Sequence, residues 1–145
     1  MNRPGSENRD LFAIADLAAE GVLAPAPYTA GRYELTKWLN FISTELHKGV
    51  FAPLMTTAAP EGARAWARHL AHERFALLSA HLAARPFLLD SFSVADAYLF
   101  TCTRWAPFCK VDLAGLDRVA AFMARVAARP AVQDALRAEG LLKAA

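Results

Sequence analysis

The segment FSVADAYLF occupies residues 92–100 of this 145-residue chain. Ser93 stands where the N-cap of a helix accepts a hydrogen bond from the backbone, and Asp96 follows three residues later, where a carboxylate can reach back to the start of that helix. The usual capping box has Glu or Gln at the position of Asp96. Because the residues that follow are largely apolar, we predict a capped helix from Ser93 to about Trp105, buried at the centre of a bundle.

A longer helix is predicted upstream, over residues 31–48. Five of its side chains fall within a stripe about 100° wide, which is typical of a face that packs on a core: Leu35, Trp38, Leu39, Ile42 and Leu46. His47 lies about 120° from the centre of this stripe. We therefore expect His47 on the flank of the core rather than inside it.

A second long helix is predicted to begin at Pro60 and to end near Ala84, before the next proline. Its large apolar residues occupy two sides, with Trp66, Leu70 and Leu77 on one and Phe75 and Leu82 on the other. A helix that is apolar on two sides is usually central or packed at an interface.

Shorter elements complete the pattern. We predict a short helix over residues 11–20 that stops at Gly21, followed by a stiff linker over the Pro-rich residues 24–27. Two further helices are predicted over residues 116–128 and from Pro130 to just before Gly140. No stretch alternates apolar and polar residues as a strand does. We predict an all-α, five- to six-helix bundle, with a polar leader over residues 1–10, a short helix and linker over residues 11–27, and one helical domain over residues 28–145.

Composition excludes several classes of protein. The chain is 55% hydrophobic and 21% charged, with a net charge of +2, as a globular domain is. No run of five basic residues occurs, so we expect no nucleic-acid partner. Charge or proline interrupts each apolar stretch before the about 18 residues that a membrane span needs, and residues 1–10 lack the apolar core of a signal peptide. We expect no membrane partner.

The two cysteines, Cys102 and Cys109, are seven residues apart in what we predict to be one helix. This spacing puts them roughly 10 Å apart, too far for a disulfide. Nor does it match a C-x-x-C redox motif. We expect two reduced core thiols, in a protein of the cytoplasm.

Three segments together carry a resemblance to a known family. The first is Arg32-Tyr33 followed by WLNFISTELHKG at residues 38–49, the second is residues 92–100, and the third is residues 116–141. In this order and with this spacing they resemble the C-terminal helical domain of bacterial beta-class glutathione transferases. The resemblance spans residues 13–141, which is nearly the whole chain.

The resemblance implies a domain that helps to hold glutathione and a small hydrophobic electrophile. A complete member of the family also carries a thioredoxin-like domain, with a glutathione-binding loop and, in this class, an active-site cysteine. Only residues 11–20 and the linker correspond to the end of that domain, so we expect it to be absent. One apparent extra residue within residues 49–53 leaves the placement of Phe51 open.

The resemblance further implies roles on the glutathione side. His47 matches the histidine that approaches the glutathione sulfur, where an imidazole hydrogen bond stabilises the thiolate nucleophile. Lys48 is then the neighbouring residue that pairs with a glutathione carboxylate. The alternatives are a surface histidine near a helix end and an ordinary solvated lysine.

Other residues match the hydrophobic side. Trp105 corresponds to a tryptophan that lines the site of the hydrophobic co-substrate, and Phe51, Arg104 and Phe108 are further candidates. The alternative for the aromatic residues is plain core packing. Ser93 and Asp96 are structural on either interpretation.

A metal site is not expected. His69, His72 and Glu73 share one helix face at spacings that permit metal ligation, but they do not form an H-E-x-x-H motif, and we interpret them as a solvated helix face. We expect no cofactor, with glutathione as a co-substrate.

Three hypotheses of function follow. The first is a transferase that conjugates glutathione to small hydrophobic electrophiles. The second is a non-enzymatic module that binds hydrophobic ligands or dimerises, because a helical domain without its partner domain exposes an apolar surface for a second copy or another partner. The third is a truncated fragment of a full transferase. Residues 2–10 do not resemble the sequence that precedes this domain in the family, which favours an independent start.

Overall fold

A computed structural model describes residues 6–18 and 22–142. Its helices are α1 (Ser6–Leu17), α2 (Ala30–Phe41), a π-helical segment (Ile42–Phe51) that continues α2, α3 (Ala52–Met55), α4 (Glu61–His81), α5 (Val94–Thr103), α6 (Asp117–Ala127) and α7 (Pro130–Ala138). Within these described ranges there is no strand. The prediction of an all-α helical bundle is confirmed.

The helix α1 begins earlier than the sequence indicated. Residues 6–10 of the predicted polar leader are helical, whereas residues 1–5 and the predicted helix end at Gly21 lie outside the described residues. Arg32 at the start of α2 bonds to both α1 and the linker. Its guanidinium donates to the Asp16 carboxylate at 2.7 Å and to the Pro25 carbonyl at 3.2 Å. The linker and the end of α1 are thereby fixed to α2.

The helix α5 is the central element. It packs against α1, α2, the π-helical segment and α6. Most of its length is buried: Val94, Ala95, Asp96, Leu99, Phe100, Cys102 and Thr103. The prediction of a capped, buried central helix is confirmed.

The helix α5 ends at Thr103, two residues short of the predicted end at Trp105. The chain then tightens into turns, in which the Trp105 N–H donates to the Cys102 carbonyl at 3.0 Å. Pro107 explains the early end, since it has no N–H to donate to Thr103, as a continuing α-helix would require. Cys109 therefore lies in the turns after the helix, and the prediction of one helix that holds both cysteines was wrong.

The carboxylate of Asp96 fixes the beginning of α5. One of its oxygens accepts from the backbone N–H of Ser93 at 2.8 Å and from the Ser93 hydroxyl at 2.9 Å, and the other accepts from the Leu88 N–H at 2.8 Å. Both Ser93 and Asp96 are buried. Burial raises the pKa of the Asp96 carboxyl above its ordinary value, and these hydrogen bonds oppose that rise. The predicted capping box is confirmed, and the bond to Leu88 ties it to the preceding loop.

The predicted core stripe of the first long helix is buried in full: Leu35, Trp38, Leu39, Ile42 and Leu46. The backbone differs from the predicted continuous helix over residues 31–48, because the α-helix ends at Phe41 and the π-helical segment takes over.

The helix α4 begins directly after Pro60 and ends at His81, close to its predicted bounds. Its inner side is buried through Phe75 and Leu78, whereas Trp66 on its outer side is 62% exposed and Leu77 is 48% exposed. The helix is therefore peripheral, and its second apolar side forms part of the surface.

The last two helices agree with the sequence analysis. The helix α6 packs against α4, α5 and α7, and it buries Val119, Phe122 and Val126. The helix α7 begins at Pro130, as predicted, and buries Leu136. Among the described helices, none combines the length and the apolar character needed to cross a membrane.

Replacing Asp96 with Ala is expected to lower the free energy of unfolding by about 3 kcal/mol, because three buried donors lose their acceptor at once. Asp90→Ala is the matched control, since the Asp90 carboxylate is exposed and makes only a surface ion pair with Arg85 at 3.5 Å. Urea unfolding followed by circular dichroism measures both variants. Equal unfolding midpoints would contradict the role assigned to Asp96.

Candidate functional site

The π-helical segment Ile42–Phe51 carries His47. In a π-helix each N–H bonds to the carbonyl five residues earlier, and the Ala52 N–H donates to the His47 carbonyl in this way. Such turns are rare and are frequently found at functional sites. Each π-helical turn holds more residues than an α-helical turn, so this segment offers a place for the apparent extra residue within residues 49–53.

His47 contacts two aromatic side chains of a different part of the chain. Its Nδ1 lies 2.7 Å from the hydroxyl oxygen of Tyr98 on α5. Its ring lies edge-on to Trp105, with the ring centroids 5.1 Å apart and the planes at 63°. The imidazole is half-buried, as its predicted place on the flank of the core requires. Two contacts from the α5 region thus set the position and the tilt of the ring.

Lys48 follows His47 on the same segment, and its side chain is exposed. The structure therefore places a positive charge at the surface next to the half-buried imidazole. This is a suitable location for a group that pairs with a carboxylate in solution.

Trp105 lines a surface cavity of about 340 Å³. This volume is at the lower end of the range for small-molecule pockets, which is about 300–1,000 Å³. The cavity is bounded by the end of α5, the turns after it, the end of α7 and the residues that follow α7: Phe100, Thr101, Arg104, Trp105, Phe108, Leu136, Glu139 and Leu141. Arg104, Trp105 and Phe108, which the sequence singled out, are thus brought together in one cavity.

These three residues offer different surfaces to a ligand. Phe108 is 84% exposed and Trp105 is half-buried, so both rings present apolar surface. The guanidinium carbon of Arg104 lies 5.7 Å from the centroid of the Phe100 ring. The cavity therefore combines apolar walls with one basic side chain, Arg104, and one acidic side chain, Glu139.

Phe51 is placed differently from the other candidates. Its side chain is 0% exposed. It lies between Phe75 and Trp105, with ring centroids 6.3 Å and 5.6 Å away. In this position it packs behind Trp105 as part of the core and presents no surface to a ligand. Its predicted contact with substrate does not agree with this burial, and the π-helical register, which turns Phe51 inward, is the physical reason.

Tyr98 belongs to the site through its contact with His47 but is not among the candidates predicted from the sequence, because it lies within a largely apolar helix. The spacing contained a signal, since Tyr98 and Trp105 are seven residues apart and seven residues are two helical turns. Residues at that spacing share a face of a helix. A polar aromatic residue two turns before the candidate tryptophan was therefore a candidate itself.

The two cysteines do not contribute a nucleophile. Both are buried and free. Burial raises the pKa of the Cys102 thiol to about 12, and it also raises the pKa of the Cys109 thiol. Both thiols are therefore protonated at neutral pH, and a protonated thiol is a poor nucleophile.

His69 and Glu73 form an exposed pair on α4, with 3.6 Å between imidazole Nε2 and carboxylate oxygen. His72 is exposed beside them. Among the residues that the structure describes, no group of three or more His, Cys, Asp or Glu side chains is placed to hold a metal ion.

Comparison with known families decides the relationship. The family model of the glutathione S-transferase C-terminal domain matches residues 41–130. This chain belongs to that family. The match contains the π-helical segment, α5 and the cavity residues from Phe100 to Phe108, whereas the cavity residues after Pro130 lie beyond it.

Individual glutathione S-transferases agree with this assignment. GstA of Escherichia coli O157:H7 is 42% identical over 129 residues, which cover 88% of this chain and 64% of GstA. A sphingomonad glutathione S-transferase solved in complex with glutathione is 35% identical and has a TM-score of 0.86 over 98% of this chain and 69% of that chain. The chain spans 64–66% of the lengths of the curated relatives that it matches.

The class is also resolved. The bacterial beta-class glutathione S-transferase of Sphingomonas chungbukensis is 32% identical to this chain, with a TM-score of 0.88 over 98% of this chain and 69% of that chain. The resemblance to bacterial beta-class glutathione transferases is confirmed.

Gly49 provides a test of the π-helical segment that carries His47. A Cβ at this position would lie 3.0 Å from the Thr44 carbonyl oxygen and 3.4 Å from Leu70. Gly49→Ala is expected to lower the free energy of unfolding by about 1–2 kcal/mol through this crowding.

Gly62→Ala is the matched control, because nothing lies within 4 Å of a Cβ there. In the first turn of α4, alanine is expected to leave stability unchanged or to raise it by up to about 1 kcal/mol. The two variants are compared by urea unfolding. If Gly49→Ala were as stable as the wild-type chain or more stable, the tight π-helical turn would be excluded.

Proposed function

We propose that this chain supplies the helical half of a glutathione transferase site, which conjugates glutathione to small hydrophobic electrophiles. One observation carries the proposal. The Trp105 ring contacts the His47 imidazole and also lines the apolar cavity. Trp105 therefore lies between His47, the residue proposed to contact the glutathione sulfur, and the cavity proposed to hold the electrophile. Such proximity is what a two-substrate reaction requires.

The proposed chemistry is a nucleophilic substitution. The glutathione thiol gives its proton to solvent, the thiolate attacks an electrophilic carbon, and the leaving group departs with its bonding electrons. A hydrogen bond from His47 to the sulfur favours the thiolate over the thiol. Lys48 pairs with a carboxylate of the tripeptide, and Trp105, Phe108 and Arg104 receive the electrophile.

Glutathione is the proposed thiol because the similar sphingomonad transferase was solved in complex with it. In the family, most contacts to glutathione come from the thioredoxin-like domain. The proposal assigns to this helical domain the contacts made by His47 and Lys48 and the wall for the electrophile.

A second copy of the chain is the proposed macromolecular partner. The outer side of α4 exposes Trp66 and Leu77, with Leu70 half-buried between them. Apolar side chains grouped on one face are typical of an interface.

The cytoplasm is the proposed compartment, because two free thiols are typical of a reducing environment.

The same exposed side of α4 favours a second candidate function, a non-enzymatic dimerisation or ligand-binding module. The two candidates differ in what they require of His47. A transferase needs its imidazole next to the sulfur, whereas a module needs only the fold.

A fusion protein tests the proposal. The thioredoxin-like domain of E. coli GstA, without its last helix, is joined ahead of α1, which takes the place of that helix and keeps the ion pair between Asp16 and Arg32. Conjugation of glutathione to 1-chloro-2,4-dinitrobenzene is then measured. His47→Ala is expected to lower kcat/KM by about 10- to 100-fold, the effect of losing a hydrogen bond to a charged group.

The matched control is His72→Ala, which removes an exposed imidazole of α4 and is expected to leave kcat/KM unchanged. A folded fusion protein without conjugation activity would favour the module. Equal activities of the two variants would overturn the role of His47.

A further inference from the structure

The hydrogen bond between His47 and Tyr98 joins two elements that are far apart in the sequence. The imidazole Nδ1 lies on the π-helical segment and the hydroxyl oxygen on α5, 2.7 Å from each other and 51 residues apart in the chain. This distance is the usual one for a strong hydrogen bond of a hydroxyl group. It leaves Nε2 as the ring nitrogen turned away from Tyr98.

The chemistry of the two groups assigns the proton. A neutral imidazole has one N–H donor and one bare nitrogen acceptor, and a phenol has one O–H donor. A phenol is a better donor than a neutral imidazole N–H, and a bare imidazole nitrogen is a better acceptor than a phenol oxygen. The favoured arrangement therefore has the Tyr98 O–H donating to Nδ1, with the single imidazole proton on Nε2.

We infer that Tyr98 is a positioning residue that holds neutral His47 in the tautomer with its proton on Nε2, so that the imidazole presents a donor to the glutathione sulfur. The inference rests on the proposed function for its ligand, but the tautomer itself is a property of the chain alone. In a metal or catalytic histidine, the partner of one ring nitrogen sets the state of the other in the same way.

This assignment gives His47 a defined role. With Nδ1 occupied by the Tyr98 hydroxyl and Nε2 already protonated, neutral His47 has no bare nitrogen to accept the thiol proton. It acts as a hydrogen-bond donor to the thiolate, and the thiol proton goes to solvent. Trp105 supports this role, because its ring packs edge-on to the imidazole and restricts rotation of the ring.

Nitrogen NMR of the chain labelled with ¹⁵N-histidine tests the inference without glutathione. The spectra are recorded at a pH where the histidines are neutral, since a protonated and a bare ring nitrogen then have widely separated ¹⁵N shifts. The chain has four histidines, and His47→Gln identifies the signals of His47 by their loss. The expected result is Nε2 protonated and Nδ1 bare in the wild-type chain.

Tyr98→Phe removes the donor and keeps the ring. It is expected to shift both His47 nitrogen signals toward the averaged values of a mixture of tautomers. Tyr33→Phe is the matched control, because Tyr33 on α2 is 68% exposed and is expected to leave the His47 signals unchanged. The chain contains three tyrosines, so these variants change one phenol at a time.

Two results would overturn the inference. One is a proton on Nδ1 in the wild-type chain, and the other is that the wild-type chain and Tyr98→Phe give the same His47 nitrogen signals. If Tyr98→Phe does not fold, the wild-type spectrum still decides which nitrogen carries the proton. A fixed Nε2 tautomer in a chain whose fusion protein lacks conjugation activity would keep Tyr98 as the positioning residue and would count against the proposed function alone.

Discussion

The hydrogen bonds to the buried carboxylate of Asp96 are the interactions on which the rest of the structure depends. This carboxylate accepts three hydrogen bonds, from the backbone and hydroxyl of Ser93 and from the backbone of Leu88. These bonds fix both the first residue of α5 and the loop that leads into it. Because α5 packs against α1, α2, the π-helical segment and α6, its starting point sets the register of the whole core. Tyr98 lies on α5 two residues after Asp96, and Trp105 lies in the turns directly after α5, so the same constraint helps to position both side chains that contact His47.

Much of the fold could be predicted from the sequence, because local rules decide it. Each of three local patterns predicts a helix from the residues of that helix alone. They are the capping pattern of Ser93 and Asp96, the apolar stripe from Leu35 to Leu46, and the prolines at the starts of α4 and α7. All five stripe residues are buried. The family was identified by the resemblance of three segments that contain these helices, not by their capping or periodicity. For the candidate site, the sequence singled out His47 and three of the residues that line the cavity, Arg104, Trp105 and Phe108.

The rest depends on contacts between elements, which no local pattern contains. The spacing of apolar residues does not separate an α-helix from a π-helix over two turns, so the inward turn of Phe51 could not be predicted. The outer side of α4 has the apolar character of a buried face, yet Trp66 lies on the surface, because no described element packs there. The bond between His47 and Tyr98 spans 51 residues and exists only because α5 crosses the π-helical segment at this point. For that reason no local pattern distinguishes Tyr98 from the apolar residues around it on α5.

The account holds that the protein itself assembles the cluster of His47, Tyr98 and Trp105, before any ligand binds. A nuclear Overhauser spectrum of the ligand-free chain tests this most directly. The rings of Trp38 and His81, with centroids 4.4 Å apart, provide an internal reference pair. The account predicts cross-peaks between the imidazole protons of His47 and the indole protons of Trp105, whose centroids are 5.1 Å apart. Cross-peaks for the reference pair without any for His47 and Trp105 would contradict it.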